Sequence, residues 1–417
     1  HTIIFITLFL LPFLFATLHR RNSINMISLD QAISIIHSKV KPIDKTEHVP
    51  LWNCIGRILA ADVTSDMNMP PFNKTAVDGY ACRMADVSKE LEVIEIIPAG
   101  KVPVKKIELG QCAKIMTGAM IPEGADCVLM VEETKEVENS RIVFIGEKAK
   151  SNICILGEDI KTGDIAILKG TILSPQHIAI MAALGCTSPL VAAKPSVAIL
   201  VTGDELVEPQ DKPIGGQIRN SNGHQLVGQI INANAKPNYI GIVKDTEEAT
   251  YNALSKALNE NDIIILTGGV SMGDYDYVPE VMKKLGIQIL FDSISIQPGK
   301  PTKFGTKDGK LIFGLPGNPV STYFQFEVLI KPVIQMMMGS VPPKIISRLP
   351  MGIDYKRKKT ERLGLIPVAV NSDNKVMTIE YHGSAHIFAL AQANGYIMIP
   401  IGVSEVKEGE FVDVRPL

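Results

Sequence analysis

Between Asp262 and Gly273 the chain reads DIIILTGGVSMG, an acidic residue, a β-branched and aliphatic run, paired glycines and a third glycine. An unbroken apolar run of this kind predicts a parallel strand buried on both faces, opening into a loop lined by backbone. In an open α/β sheet that is where ligands bind. Small residues at Gly268, Gly269, Ser271 and Gly273 would let main-chain N–H groups approach a phosphate without a side chain in the way. Asp274 or Asp276 just beyond them could face a metal ion carried on that phosphate.

The surrounding sequence supplies a sheet for this strand. SVAILVTG (196–203) is a second buried strand with a glycine turn, followed by Asp204 and Glu205. Asn222 is placed to cap a helix running through Ala233, YIGIV is a further strand, and Asp245 with Glu248 has the spacing of a capping box for a helix through Asn259. Pro279 stands early in a helix ending near Gly286, and strands are expected over Ile287–Ile296 and Leu311–Phe313. Alternating strand and helix argue for a doubly wound α/β domain with a parallel sheet and right-handed crossovers over 195–340. Two loops leave it: QPGKPTK (297–303), with two lysines beside a Pro-Gly turn, and LPGNPVS (315–321), running into a long apolar helix that ends in Met336, Met337 and Met338. Those methionines read as core or interface filler. The tail from 341 to 417 alternates apolar and polar residues between glycine turns, the pattern of a small β domain.

Upstream, Asp30–Val40 predicts an amphipathic helix and Leu51–Ala61 is apolar. DMNMPPFNKTAVDGY (66–80) then breaks all periodicity with prolines, asparagines and a glycine. By itself its Asp78 reads as a turn aspartate bonded to a backbone N–H. Short β-like runs from Ala81 to Phe144 predict a β-rich domain whose Thr117, beside Gly118, suits either an anion or a turn. GEDIKTGDIAILKGTIL (157–173) places Glu158 and Asp159 at a glycine turn, and Pro175–Gly185 has proline at its start and glycine at its end, the signature of a helix.

With 417 residues there is room for two to four domains. Forty-two basic and 44 acidic residues leave a net charge of −2, without the basic footprint of a nucleic-acid binder. The six cysteines form no CxxC pair and read as reduced thiols of a cytoplasmic protein. Residues 1–25 are largely apolar with Arg20 and Arg21 after the run, and they are expected to lie outside the fold that begins at Met26; a membrane anchor or signal is the alternative. The loop at Gly299 lacks the earlier glycine of a Walker A motif, since Ile294 stands there, and GGVSMG is not GxGxxG. There is no GxSxG and no histidine in a catalytic motif. What remains is a cleft in which glycine N–H groups, Lys300, Lys303 and Ser321 suit an oxyanion, while Asp204, Glu205, Asp245, Asp274 and Asp276 suit a divalent metal.

PPFNKTAVDGYA, IMTGAMIPEGADCVLMVEE, GEDIKTGD, TGDELVEP, IRNSN, LTGGVSMGDYD, PGKP and LPGNPVS, taken in order, resemble the molybdopterin molybdenumtransferase family, which includes the C-terminal domain of gephyrin. The resemblance implies an elongated, discontinuous first domain (26–72 and 151–194), an inserted β-rich domain (73–150), the α/β domain and a C-terminal β-barrel-like domain. It implies a homodimer whose active site lies between the second domain of one subunit and the third and fourth of the other. The implied reaction takes adenylylated molybdopterin and molybdate, hydrolyses the adenylyl link with Mg2+, and releases molybdenum cofactor and AMP; implied partners are a molybdopterin adenylyltransferase and acceptor molybdoenzymes.

By the same resemblance Asp78, Asp159, Asp245 and Asp276 are catalytic carboxylates, which reverses the turn reading of Asp78. Glu205, Asp245 and Asp276 handle metal and pterin, Thr117 binds substrate, and Gly268, Gly269, Ser271 and Gly273 cradle the phosphate. Lys300, Ser321 and Ser384 fall near molybdate. Three departures from the pattern stand out. Gln297 stands where many relatives have lysine, so one cationic contact is either missing or supplied by Lys300 or Lys303; Cys154 and Ile155 stand where arginine is common; and Lys359 stands where an oxyanion-binding arginine is expected, without arginine's bidentate fork. A scaffold without turnover and an ATP-dependent adenylyltransferase are the competing readings.

Overall fold

The computed structural model describes residues 26–269, 277–341 and 346–417. These form two compact units, one built from 26–41, 194–337 and 346–417, the other from 42–193 and 338–341. Residues 1–25, and with them the anchor or signal alternative, lie outside the described residues. No described helix is long and apolar enough to cross a membrane.

The first unit is organised by a six-stranded sheet in the order Lys236–Val243, Ser196–Thr202, Ile263–Thr267, Lys310–Leu315, Pro301–Lys307, Gln288–Ser293. Every residue of Ile263–Thr267 is buried, as an apolar strand with a partner on each edge and helices over its faces must be. The first three pairings in this order are parallel and the last two antiparallel, so that Pro301–Lys307 alone runs against the other strands. The expected all-parallel sheet is therefore a parallel core with an antiparallel flank. Pro301–Lys307 turns back on Lys310–Leu315 through Asp308 and Gly309, both at positive φ, so no helix fits in the connection and the hairpin must be antiparallel. Phe291, Phe304 and Phe313 are buried in contact across this flank, with ring centroids 5.6 and 5.0 Å apart.

Three local expectations give way to others. The strand expected over Ile287–Ile296 ends at Ser293, and Ile296–Gln297 instead pairs in parallel with Leu363–Gly364 of a second six-stranded sheet built mainly from 347–416. Asn222 does not cap its helix; Ser221 occupies that position while the buried Asn222 amide reaches elsewhere. The helix Glu247–Glu260 is capped by Thr246, whose hydroxyl accepts from Ala249 N–H at 3.3 Å, one residue beyond the anticipated Asp245 box. The N-terminal helix Leu29–His37 forms as its pattern predicts, with Ser28 and Gln31 in a capping box and Leu29, Ala32 and Ile36 buried. It belongs to this unit, since Ile27 N–H donates to Ser293 and Ser295 N–H donates to Ile27.

The second unit holds a β sheet in the order Cys127–Met130, Gly79–Cys82, Gln111–Ile115, Leu91–Ile97, Arg141–Phe144, Thr134–Val137. Three short antiparallel ladders join sequence from before this sheet to sequence after it: Thr46–His48 with Leu190–Ala192, Val63–Thr64 with Ile165–Ile167, and Lys74–Thr75 with Ile153–Cys154. The apolar stretch 51–61 yields the short 3-10 turn Leu51–Asn53 and single β-bridges from Ile58 to Ile172 and from Leu59 to Val191, with Gly56 at φ +73° between them.

Truncating the buried Phe304 to alanine should cost about 3–5 kcal/mol, whereas the same change at Phe388, 78% exposed, should cost less than about 0.5 kcal/mol. Denaturant unfolding followed by circular dichroism checks both.

Candidate active site

The carboxylates and the cations of the first unit occupy different places. At the C-terminal ends of the parallel strands, Asp204 and Glu205 follow Ser196–Thr202 and Asp245 follows Lys236–Val243. Asp245 N–H donates to Asp204 Oδ1 at 3.2 Å. Burial, and then the neighbouring charges of Asp204 and Glu205, push the Asp245 carboxyl above its ordinary range. Among the described residues no group of three or more His, Cys, Asp or Glu is set to hold a metal ion. The oxygen-only donors and their mutual repulsion nevertheless have the chemistry that a hard dication relieves.

The paired glycines have a packing reason as well. A Cβ on Gly268, which has φ +90°, would stand 2.2 Å from the Thr202 carbonyl oxygen, so only glycine lets the strand end close against its neighbour. The Gly268 amide donates to Leu315 O at 3.3 Å, and a phosphate cradle built on this loop therefore starts at Gly269. Ser271, Gly273, Asp274 and Asp276, the rest of the expected loop, lie outside the described residues. Asn222 donates from Nδ2 to Thr267 Oγ1 at 3.0 Å and to Gly317 O at 2.7 Å, fastening the strand end to the LPGN turn; a role as helix cap had hidden this.

The cations gather in a cavity of about 700 Å³ whose lining includes Lys300, Ser321, Lys359 and Ser384, four of the expected oxyanion residues. Lys300 comes from the PGKP turn, Ser321 from the helix Pro319–Gln325, and Lys359 and Ser384 from the C-terminal segment. Asn318 Nδ2 donates to Ser384 Oγ at 2.9 Å and Val320 N–H donates to Ser384 O at 3.0 Å, which holds the last of these loops against the helix start. Lys303 does not join them. It is buried within Pro301–Lys307 opposite Gly314 and is not among the residues that line the cavity.

Sequence reasoning missed Arg357, Lys358, Arg362, Tyr381 and His382 in the same lining. The signal was the cationic run RKKTER around Lys359. Arg357 is structural: its guanidinium donates to Val403, Arg362 and Pro400 carbonyls at 2.8, 3.0 and 2.6 Å. Arg362 donates from Nη1 to Ile296 O at 3.3 Å and brings to the cavity the planar cation that seemed lost at Lys359.

In the second unit Asp78 Oδ1 accepts from Thr117 N–H at 2.6 Å and from Thr117 Oγ1 at 2.9 Å. These bonds, the amide first, hold the Asp78 carboxyl below its ordinary range. Asp159 is exposed on the loop whose Gly157 and Asp159 amides donate to Pro70 and Met69 carbonyls, at 2.9 and 3.0 Å. No hydrogen bond joins Asp159 to Asp78 or Thr117 among the described residues. Replacing Thr117 with valine removes the hydroxyl and keeps the amide, so the Asp78 carboxyl should titrate at higher pH than in the wild type while staying below a free aspartate. Carboxyl 13C NMR titration reads this directly.

Comparison with known proteins shows the family. The chain matches the MoeA N-terminal region (domain I and II) over residues 27–185, a probable molybdopterin-binding domain over 198–336 and the MoeA C-terminal region (domain IV) over 348–417. It is 38% identical over 403 residues to a molybdopterin molybdenumtransferase of Staphylococcus epidermidis, covering 93% of this chain and 95% of that one. It is 35% identical over 384 residues to the enzyme of that name from Bacillus subtilis, covering 89% of each chain. The fold superposes on the crystal structure of the molybdopterin biosynthesis MoeA protein of Pyrococcus horikoshii with a TM-score of 0.83 at 31% identity, covering 94% of this chain and all of that one. With three consecutive matches spanning nearly the whole described chain, the protein belongs to the molybdopterin molybdenumtransferase family and is an enzyme of molybdenum cofactor biosynthesis.

Proposed function

We propose that the enzyme takes adenylylated molybdopterin and molybdate, hydrolyses the adenylyl link in the presence of Mg2+ and releases molybdenum cofactor and AMP, acting as a homodimer of four-domain subunits. The observation that carries the reading is the convergence of Lys300, Ser321, Lys359 and Ser384 on one cavity, with Arg362 beside them. Ammonium and guanidinium groups with hydroxyls suit a tetrahedral oxyanion of charge −2, because each cation donates a charge-assisted hydrogen bond and the hydroxyls fix orientation. Gly269 and the residues after it would receive the pterin phosphate, while Asp78, Thr117 and Asp159 would bind and orient substrate.

Glu205, Asp245 and Asp276 would hold the magnesium ion, which when bound neutralises phosphate charge. The crowding of Asp245 by Asp204 and Glu205 supports this. Before metal binds, the raised Asp245 carboxyl keeps its proton to a higher pH than an ordinary aspartate, so metal affinity should fall on acidification.

The test is AMP release from adenylylated molybdopterin with and without molybdate. Release that depends on molybdate and is abolished by chelating Mg2+ is expected; ATP consumption without molybdate would instead indicate an adenylyltransferase. Lys300→Ala should raise the molybdate concentration for half-maximal release by about tenfold or more, the loss of one charge-assisted bond. Lys303→Met should leave that concentration near the wild-type value.

A further inference from the structure

We propose that Gln325 is a positioning residue that sets the oxyanion affinity of the cavity by holding the Gly299 turn, and with it Lys300, against the helix that carries Ser321. The inference rests on the molybdate reading of that cavity. Gln325 does not line the cavity; it ends the helix Pro319–Gln325 four residues after Ser321 and is fully buried. Its Nε2 donates to Gly299 O at 2.6 Å, and Thr302 Oγ1 donates to the same oxygen at 2.8 Å. A carbonyl at that distance can face only the NH2 end of the amide, which fixes its orientation.

Gly299 and Gln325 are fitted to each other. Gly299 has φ +108°, and a Cβ on it would stand 2.3 Å from Gln325 Nε2. Gln325 Oε1 is buried without a hydrogen-bond partner among the described residues. A buried, half-satisfied amide is a poor core residue, so what this one contributes is the donor. Directly after it the helix widens into a π turn, Phe326–Ile330, a feature that concentrates at functional sites. The clamp thus links two groups that reach the same cavity from different elements, Lys300 one residue past the clamped carbonyl and Ser321 one helical turn before the clamping amide.

The test measures molybdate binding to the full-length protein by equilibrium dialysis, for the wild type, Gln325→Glu and Gln325→Met, between about pH 6 and pH 8. Each variant's Kd is divided by the wild-type value at the same pH, which cancels the titration of molybdate and of groups common to both proteins. A buried glutamic acid keeps its proton to higher pH and can then donate to Gly299 O, whereas its ionised form sets negative charge against that oxygen. For Gln325→Glu the ratio is expected to be within about threefold of unity at the acidic end and about tenfold or more at the alkaline end; for Gln325→Met it should be raised at every pH. Thr302→Val, which removes the other donor to the same carbonyl, should weaken binding by a smaller factor and serves if Gln325→Glu does not fold. Ratios near unity throughout, or a Gln325→Glu ratio raised equally at all pH as simple loss of packing would give, overturn the role of Gln325 and leave the molybdate reading standing. Wild-type protein that binds no molybdate overturns both.

Discussion

The strand Ile263–Thr267 is enclosed on both edges and both faces, and its five backbone units have to be met by neighbouring strands or not at all. That requirement fixes Ser196–Thr202 on one side and Lys310–Leu315 on the other, in a register that leaves their C-terminal ends level. Much of the chemistry of this unit starts along that edge: the carboxylates after Ser196–Thr202 and Lys236–Val243, the glycine pair after the central strand, and the LPGN turn after Lys310–Leu315. Burying the strand therefore does more than stabilise a core, since it sets the spacing from which the loops begin.

From that common edge the unit separates two charge environments. Negative groups collect around Asp245, where like charges and burial disfavour ionisation, while ammonium and guanidinium groups collect in the cavity reached by the PGKP and LPGN turns. Keeping the two sets apart matters physically, because adjacent side chains of opposite charge would neutralise each other instead of a bound ion.

The parts that could be read from sequence are those ruled by local pattern. Continuous apolar runs gave the central strands and the amphipathic period gave the first helix, because burial on two faces or one is written in the spacing. Lys300 and Ser321 were legible as oxyanion groups from their loops, Lys359 and Ser384 came from motif likeness, and all four line one cavity. Lys303 was read as part of a loop, whereas it lies buried inside the strand Pro301–Lys307, and Asn222 failed as a helix cap because an asparagine at a helix start is ambiguous between capping it and tying it to a neighbouring loop. Arg362 was overlooked because charge in a run such as RKKTER gives no hint of which side chain turns inward. Gln325 carried no signal, as its partner lies 26 residues away in sequence on another element.

The parallel pairing of Ile296–Gln297 with Leu363–Gly364 gives the PGKP turn an unusual mounting. The chain enters it from one sheet and leaves it, at Pro301, into another. A segment held at both ends by different layers behaves like a pin through two plates: sliding either layer would tilt it. Changes in the separation of the two sheets would thus reach Lys300 as a change in reach and angle, which makes the grip on an anion sensitive to packing well outside the cavity walls.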